Sequence, residues 1–223
     1  MLSRAVPLDE RAFGELINEG VCESGYTEAL ARVALHWDRE GGCSVSLILR
    51  PYAGAAPERL ERGVELMTVA GRRGPAHGQD WRLKASDYVS GVLAHLDTEA
   101  MDGAPGPERL FLTPEGYVSE TTVANVFIVK GKRLLTPMPG SGILVGVTRS
   151  AVLETAPLLG LEPVETLLTR HDLYTADECF LTSASCEALP VVRVDGRTIG
   201  SGRPGPLTRQ LLRHEATSRI SDP

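Results

Sequence analysis

Two residues of this chain, Lys84 and Glu120, bear most directly on chemistry. Lys84 lies in Trp81-Arg82-Leu83-Lys84-Ala85-Ser86-Asp87-Tyr88, and Glu120 follows about thirty-five residues later in Gly116-Tyr117-Val118-Ser119-Glu120-Thr121-Thr122. A lone lysine is ordinarily a solvated surface charge. Held in a site, its amine becomes a nucleophile toward carbonyl carbon and a carrier of protons. A carboxylate at a strand end is likewise usually solvated, but when buried it favours a neighbouring positive charge. Further on, Gly140-Ser141-Gly142-Ile143-Leu144-Val145-Gly146-Val147-Thr148-Arg149 is a glycine-bearing loop that runs into a helical segment. Unpaired N–H groups at a helix start, beside glycines that let a ligand approach, can cradle a phosphate. The plainer reading of the same residues is a capped helix. Thr182-Ser183-Ala184-Ser185 follows an apolar strand. Its hydroxyls and amides suit a phosphate or a carboxylate, or simply a polar turn.

The elements that must position these groups are mixed. Residues 8–20 read as a short helix, and Ala29–Trp37 and Cys43–Arg50 as strands around the Gly41-Gly42 turn. Val64–Val69 reads as a third strand, and the glycine-rich, polar stretch 71–80 as a loop or linker. After Lys84, Tyr88, Val92, Leu96 and Ala100 recur every four residues, one face of an amphipathic helix that stops near Asp102-Gly103. Hairpins follow: Arg109–Thr113 with Tyr117–Glu120, then Val123–Val129 with Arg133–Thr136. A helix is expected over 148–159, with Pro157 able to kink its last turn. Strands at Leu161–Thr166 and Cys179–Thr182 flank a helical turn at 170–176. A hairpin around Asp195-Gly196 precedes a last helix over 206–215. The fold class is α/β, with residues 1–79 as a smaller N-terminal part, 80–223 as a larger sheet-and-helix part, and the site expected in a cleft between them.

Composition removes several classes of function. At 223 residues with 42% hydrophobic content the chain can build a real core. Net charge is −6 with no basic cluster, so a nucleic-acid partner is not expected. No apolar run reaches the ~18 residues of a membrane span, and the N-terminal stretch lacks the apolar core of a signal peptide. Cys22, Cys43, Cys179 and Cys186 form no CxxC pair and read as reduced thiols of a cytoplasmic protein. The histidines have no ligand spacing, so no metal is expected.

In order, the chain carries a lysine, a helix, a hairpin bearing a glutamate, a glycine loop opening a helix, and a small-residue turn. That order resembles the fold type IV, or class IV, aminotransferases that use pyridoxal 5′-phosphate. The family includes branched-chain and D-amino-acid aminotransferases and 4-amino-4-deoxychorismate lyase. The landmarks are LKASDY, ETTVANVFIV, GILVGVTR, TADECFLTSAS and LPVVRVDGRTIGSGRPGPLTRQL. The resemblance implies that Lys84 is the Schiff-base and proton-shuttling lysine and Glu120 the carboxylate paired with the pyridine nitrogen. It matches Asn125 to the asparagine that follows that glutamate, Val147 and Thr148 to residues on the cofactor phosphate, and Ser183, Ala184 and Ser185 to a second phosphate and substrate-carboxylate loop. Tyr88 is the substrate-side candidate.

Relative to the family, the part before the lysine is short and its phosphate-gripping arginine is missing, which leaves Arg32, Arg39 or Arg50 as substitutes. Ala184 stands where many members carry threonine. The resemblance implies a homodimer acting on a small amino acid or keto acid. The spacing of four from Lys84 to Tyr88, and the GILVGVTR loop, lean toward lyases and D-amino-acid enzymes. Three activities stay open at this point: amino-group transfer, release of pyruvate from aminodeoxychorismate to give 4-aminobenzoate, or a degenerate binding or regulatory subunit.

Overall fold

The computed structural model describes residues 8–74, 83–86, 88–99 and 106–221. The helix stop expected near Asp102-Gly103 and most of the linker expected over 71–80 lie outside the described residues. The chain divides into two compact units, Met1–Gly54 and Ala55–Pro223. In the smaller unit, helix α1 (Glu10–Ser24) starts where Asp9 accepts a hydrogen bond from the Ala12 N–H, and ends at Gly25 with φ 69°. Asp9 thereby satisfies one of the N–H groups that every helix start leaves unpaired. Strands β1 (Ala29–Trp37) and β2 (Cys43–Pro51) pair antiparallel in register from Ala29↔Pro51 to Trp37↔Cys43. Their turn is fixed by the Asp38 carboxylate, which accepts from the Gly42 N–H at 2.7 Å.

The larger unit runs α2 (Pro57–Arg62), β3 (Val64–Arg72), α3 (Val89–Glu99), β4 (Glu108–Leu112), β5 (Val118–Thr121), β6 (Asn125–Lys130), β7 (Arg133–Pro137), α4 (Val147–Thr155), β8 (Glu162–Thr166), α5 (Arg170–Tyr174), β9 (Glu178–Ser183), β10 (Glu187–Val194), β11 (Arg197–Thr198) and α6 (Pro206–Ser221). One sheet carries all of these strands in the order β5-β4-β3-β10-β9-β6-β7-β8, with β11 on β10. Strand β3 lies inside that sheet, parallel to both β4 and β10. Its backbone groups find their partners there, so Val64–Arg72 belongs with the larger unit. The break falls at Gly54 and not after residue 79.

Two apolar layers cover the sheet, and the period of two along each strand sorts residues between them. Val126, Ile128, Cys179 and Leu181 join Leu66, Leu110 and Leu189 on one face. Phe127, Val129 and Phe180 join Val152, Ala156 and Leu211 on the other, under α4 and α6. Phe127 and Phe180 stack at 5.1 Å between centroids. The same alternation puts Asn125 and Thr182, paired across β6 and β9, on the helix-bearing face.

Two polar devices lock the frame. Asp195 turns the β10–β11 hairpin at φ 51°. Its carboxylate accepts from the Thr68 N–H and hydroxyl and from the Tyr174 hydroxyl, at 2.7–2.8 Å. At the start of α6, Glu178 accepts from the Leu207 and Thr208 N–H groups and the Thr208 hydroxyl. Among the described residues no helix is long and apolar enough to cross a membrane.

Candidate active site

The turn from β5 to β6 sets two functional side chains next to each other. The Thr121 N–H donates to the Ala124 carbonyl at 2.9 Å, and the Ala124 N–H donates to the Thr121 hydroxyl at 2.9 Å. This closed turn leaves Glu120 on one side and Asn125 on the other. Asn125 Nδ2 donates to Glu120 Oε2 at 3.2 Å and to the Leu144 carbonyl at 2.8 Å. The Leu144 N–H donates to the same Glu120 oxygen at 2.9 Å. Glu120 Oε1 faces Arg73 Nη2 at 3.1 Å. Both oxygens of a carboxylate only 8% exposed therefore have partners.

These groups open onto a cavity of about 420 Å³, a size that suits a small organic ligand. Lys84, Tyr88, Glu120, Asn125, Val147, Thr148, Ser183 and Ala184 all wall it. Ser185 is not among the walls, and its hydroxyl lies 3.2 Å from that of Ser183. Every wall residue among those described belongs to the larger unit, and Arg73 is the one that comes from the part expected over 1–79. Arg32, Arg39 and Arg50 lie in the smaller unit and are not walls. Among the described residues the arginines that are walls are Arg73, which went unnoticed in the sequence, and Arg149, which was named in its loop without a role. The signal for Arg73 was an Arg-Arg pair directly after an apolar strand. Arg149 is buried at 2% exposure, donates to the Pro137 carbonyl at 2.9 Å and pairs with Glu165.

Next to Asn125, α4 begins at Val147 behind Gly146, which provides no side-chain cap. The first backbone N–H to be paired within this helix is that of Ser150, to the Gly146 carbonyl at 3.0 Å. The N–H groups before it have no intrahelical acceptor, and Val147 and Thr148 bring them to the cavity wall. A Cβ on Gly146 would sit 2.5 Å from Asn125 Oδ1, so only glycine lets the loop close over the asparagine. Beneath the helix start, Thr182 is 1% exposed and its hydroxyl has no hydrogen-bond partner among the described residues. An uncapped helix start with a buried, unpaired hydroxyl beside it suits a phosphate. An amine and a buried carboxylate complete a donor set that fits pyridoxal 5′-phosphate.

Burial raises the Glu120 carboxyl from 4.5 to about 7, while Arg73, the Leu144 N–H and Lys84 pull it down. The sign for stability follows. Between pH 4.5 and about 7 the folded, cofactor-free protein keeps a proton that the unfolded chain has released. Stability should therefore fall as pH rises through that window, by about 3.5 kcal/mol at most at ~1.4 kcal/mol per pH unit. Urea unfolding at pH 5 and pH 8 should show the loss in the wild type and much less of it in Glu120→Gln. Equal slopes in the two proteins would count against a raised carboxyl at this position.

A lysine, a buried carboxylate and an uncapped helix start on one cavity, above a mixed sheet, define a fold type IV pyridoxal-phosphate protein. Residues 1–194 match the family described as amino-transferase class IV, and the chain belongs to that family. It is 32% identical over 221 residues to the branched-chain-amino-acid aminotransferase of Pseudomonas aeruginosa, covering 95% of this chain and 71% of that protein. The crystal structure of Escherichia coli branched-chain amino acid aminotransferase matches with a TM-score of 0.88 and 28% identity, over 96% of this chain and 73% of that one. A second branched-chain amino acid aminotransferase, from T.th. and solved with pyridoxamine 5′-phosphate, gives a TM-score of 0.87 and 29% identity, over 96% and 73%. The chain spans about half the length of other curated relatives, 50% in the case of the Escherichia coli enzyme.

These relatives are branched-chain aminotransferases, where the Lys84–Tyr88 spacing and the GILVGVTR loop had leaned toward lyases and D-amino-acid enzymes. Lys84, Tyr88 and the loop residues from Leu144 to Arg149 all wall the same cavity, whichever reaction it serves.

Proposed function

We propose that this chain transfers amino groups between small amino acids and 2-keto acids, using pyridoxal 5′-phosphate. The carrying observation is the convergence of Lys84, the Arg73–Glu120 pair and the start of α4 on one cavity. When bound, the cofactor supplies an electron sink for negative charge at the substrate Cα. Lys84 is the amine that attaches the cofactor and then moves the proton at Cα. Glu120 holds a proton at the pyridine nitrogen, kept in position by Asn125 and the Leu144 N–H. The Val147 and Thr148 amides, the Thr148 hydroxyl and the Ser183 hydroxyl hold the phosphate, while Ala184 contributes only its backbone. Tyr88 stands on the substrate side.

Apolar groups support an aliphatic substrate, since Leu83, Val123, Val145 and Val147 share the cavity wall. The family resemblance adds a homodimer, and a monomeric mass by light scattering at micromolar concentrations would remove that part. A cytoplasmic setting accords with four free cysteines. With added cofactor, leucine, isoleucine or valine should convert 2-oxoglutarate to glutamate. Pyruvate release from aminodeoxychorismate without an acceptor would favour the lyase instead. No turnover of either kind, and no bound cofactor, would favour the degenerate subunit. Neither alternative gains support from the aminotransferase relatives.

A further inference from the structure

Among the described residues two arginines wall the cavity, and they are held in different ways. Arg149 is taken up by the Pro137 carbonyl and Glu165. Arg73 follows directly on β3, where its N–H donates to the Leu112 carbonyl at 2.9 Å. Its guanidinium lies 4.7 Å from the centroid of the Phe111 ring, and its Nη2 is 3.1 Å from Glu120 Oε1. The two side chains of this pair are only 11% and 10% exposed. Phe111 is itself 1% exposed and fixes the guanidinium plane from one side.

We propose that Arg73 is the counter-ion of Glu120, a positioning residue that favours its ionised form and aims it, and that it is not an anchor for the cofactor phosphate. The inference rests on the proposed function for its purpose, but the pairing itself does not. A carboxylate out of water needs a fixed positive charge close by, and a guanidinium stays charged at every relevant pH. Arg73 takes one carboxylate oxygen and leaves the other to the Leu144 N–H and Asn125. Lys84 also acts on Glu120 as a cation. Arg149 shares the wall but faces Glu165. The phosphate has its own site at the uncapped start of α4 and does not need Arg73.

The test uses the full-length, cofactor-free protein labelled with ¹³C at the glutamate carboxyl carbon, with Glu120 assigned by its loss in Glu120→Gln. Arg73→Gln should move the Glu120 titration midpoint upward by about one pH unit or more. Arg73→Lys, which keeps the charge, should stay within about half a unit of wild type. Binding of inorganic phosphate should change by less than about twofold in both variants. An unmoved midpoint in Arg73→Gln overturns the proposal. A roughly tenfold loss of phosphate binding also overturns it, whatever the midpoint does, because Arg73 would then be an anion ligand. Should Arg73→Gln fail to fold, Arg73→Gln/Glu120→Gln should fold, since it leaves no uncompensated buried charge. Failure of that double variant too would remove the pairing. Absence of aminotransferase activity would undo the proposed function and leave this titration readable.

Discussion

Lys84→Ala should abolish covalent cofactor attachment and lower turnover by roughly 10⁴-fold or more, the combined scale of losing a nucleophile and a proton carrier. The wild-type protein, loaded with pyridoxal phosphate, should be yellow. After borohydride it should carry the cofactor's mass on the peptide containing Lys84. The variant should show neither property. Lys84→Arg should fail in the same way, because a guanidinium keeps the charge but is not a nucleophile at neutral pH. The chain has two other lysines, Lys130 and Lys132, which makes the labelling decisive. Both lie at the β6–β7 turn, and Lys130 is bonded to the Thr175 hydroxyl at 2.9 Å. Among the described residues Lys84 is the only lysine at the cavity wall. Label on Lys130 or Lys132 would mean the site is wrongly assigned.

Glu120→Gln should leave attachment at Lys84 largely intact and lower kcat by roughly 10²–10³-fold, the usual scale for removing one preorganised electrostatic group. A glutamine oxygen can still accept from the Leu144 N–H and from Asn125, so the turn should keep its shape. What disappears is the negative charge that favours a proton on the pyridine nitrogen. Arg73 then faces a neutral group, and a second positive charge close to it becomes less favourable. The defect should appear in the chemical step, as a slower loss of the substrate Cα proton and an isotope effect on deuterated substrate that persists or grows. A variant with near wild-type kcat would remove Glu120 from the electronics. Loss of cofactor attachment itself would recast Glu120 as a scaffold residue.

Much of this arrangement is legible from local patterns. Strands at Ala29–Trp37 and Cys43–Pro51 follow their apolar runs closely, and the Asp195-Gly196 turn sits where two-residue turn chemistry puts it. Helix α4 begins at Val147 and gives way at Ala156 to a 3₁₀ turn, as Pro157 suggests. Helix α2 escaped notice because six residues are too few to show a period. Strand β10 runs from Glu187, four residues earlier than its valines indicate, because pairing with β9 extends it. The partners of the site were harder to read. Lys84, Glu120 and the α4 loop carry motif signals of their own. Arg73 carries only the weak signal of an Arg-Arg pair after a strand, since its role depends on β3 lying parallel to β4 and reaching the turn that holds Glu120. That pairing is non-local and has no trace in the residues 71–80, which read as a linker.

Gly146 has a bearing on how this sequence can drift. Its missing side chain leaves room for Asn125 Oδ1, and Asn125 in turn touches Glu120. Positions 146 and 125 are therefore bound together in what they tolerate. A variant library that randomises them one at a time should recover almost only glycine and asparagine. Randomised together, it should admit pairs in which a small side chain at 146 is matched by alanine or serine at 125. Such pairs would leave Glu120 with the Leu144 N–H and Arg73 as its remaining partners, and would open a route to diversity that single substitutions do not reach.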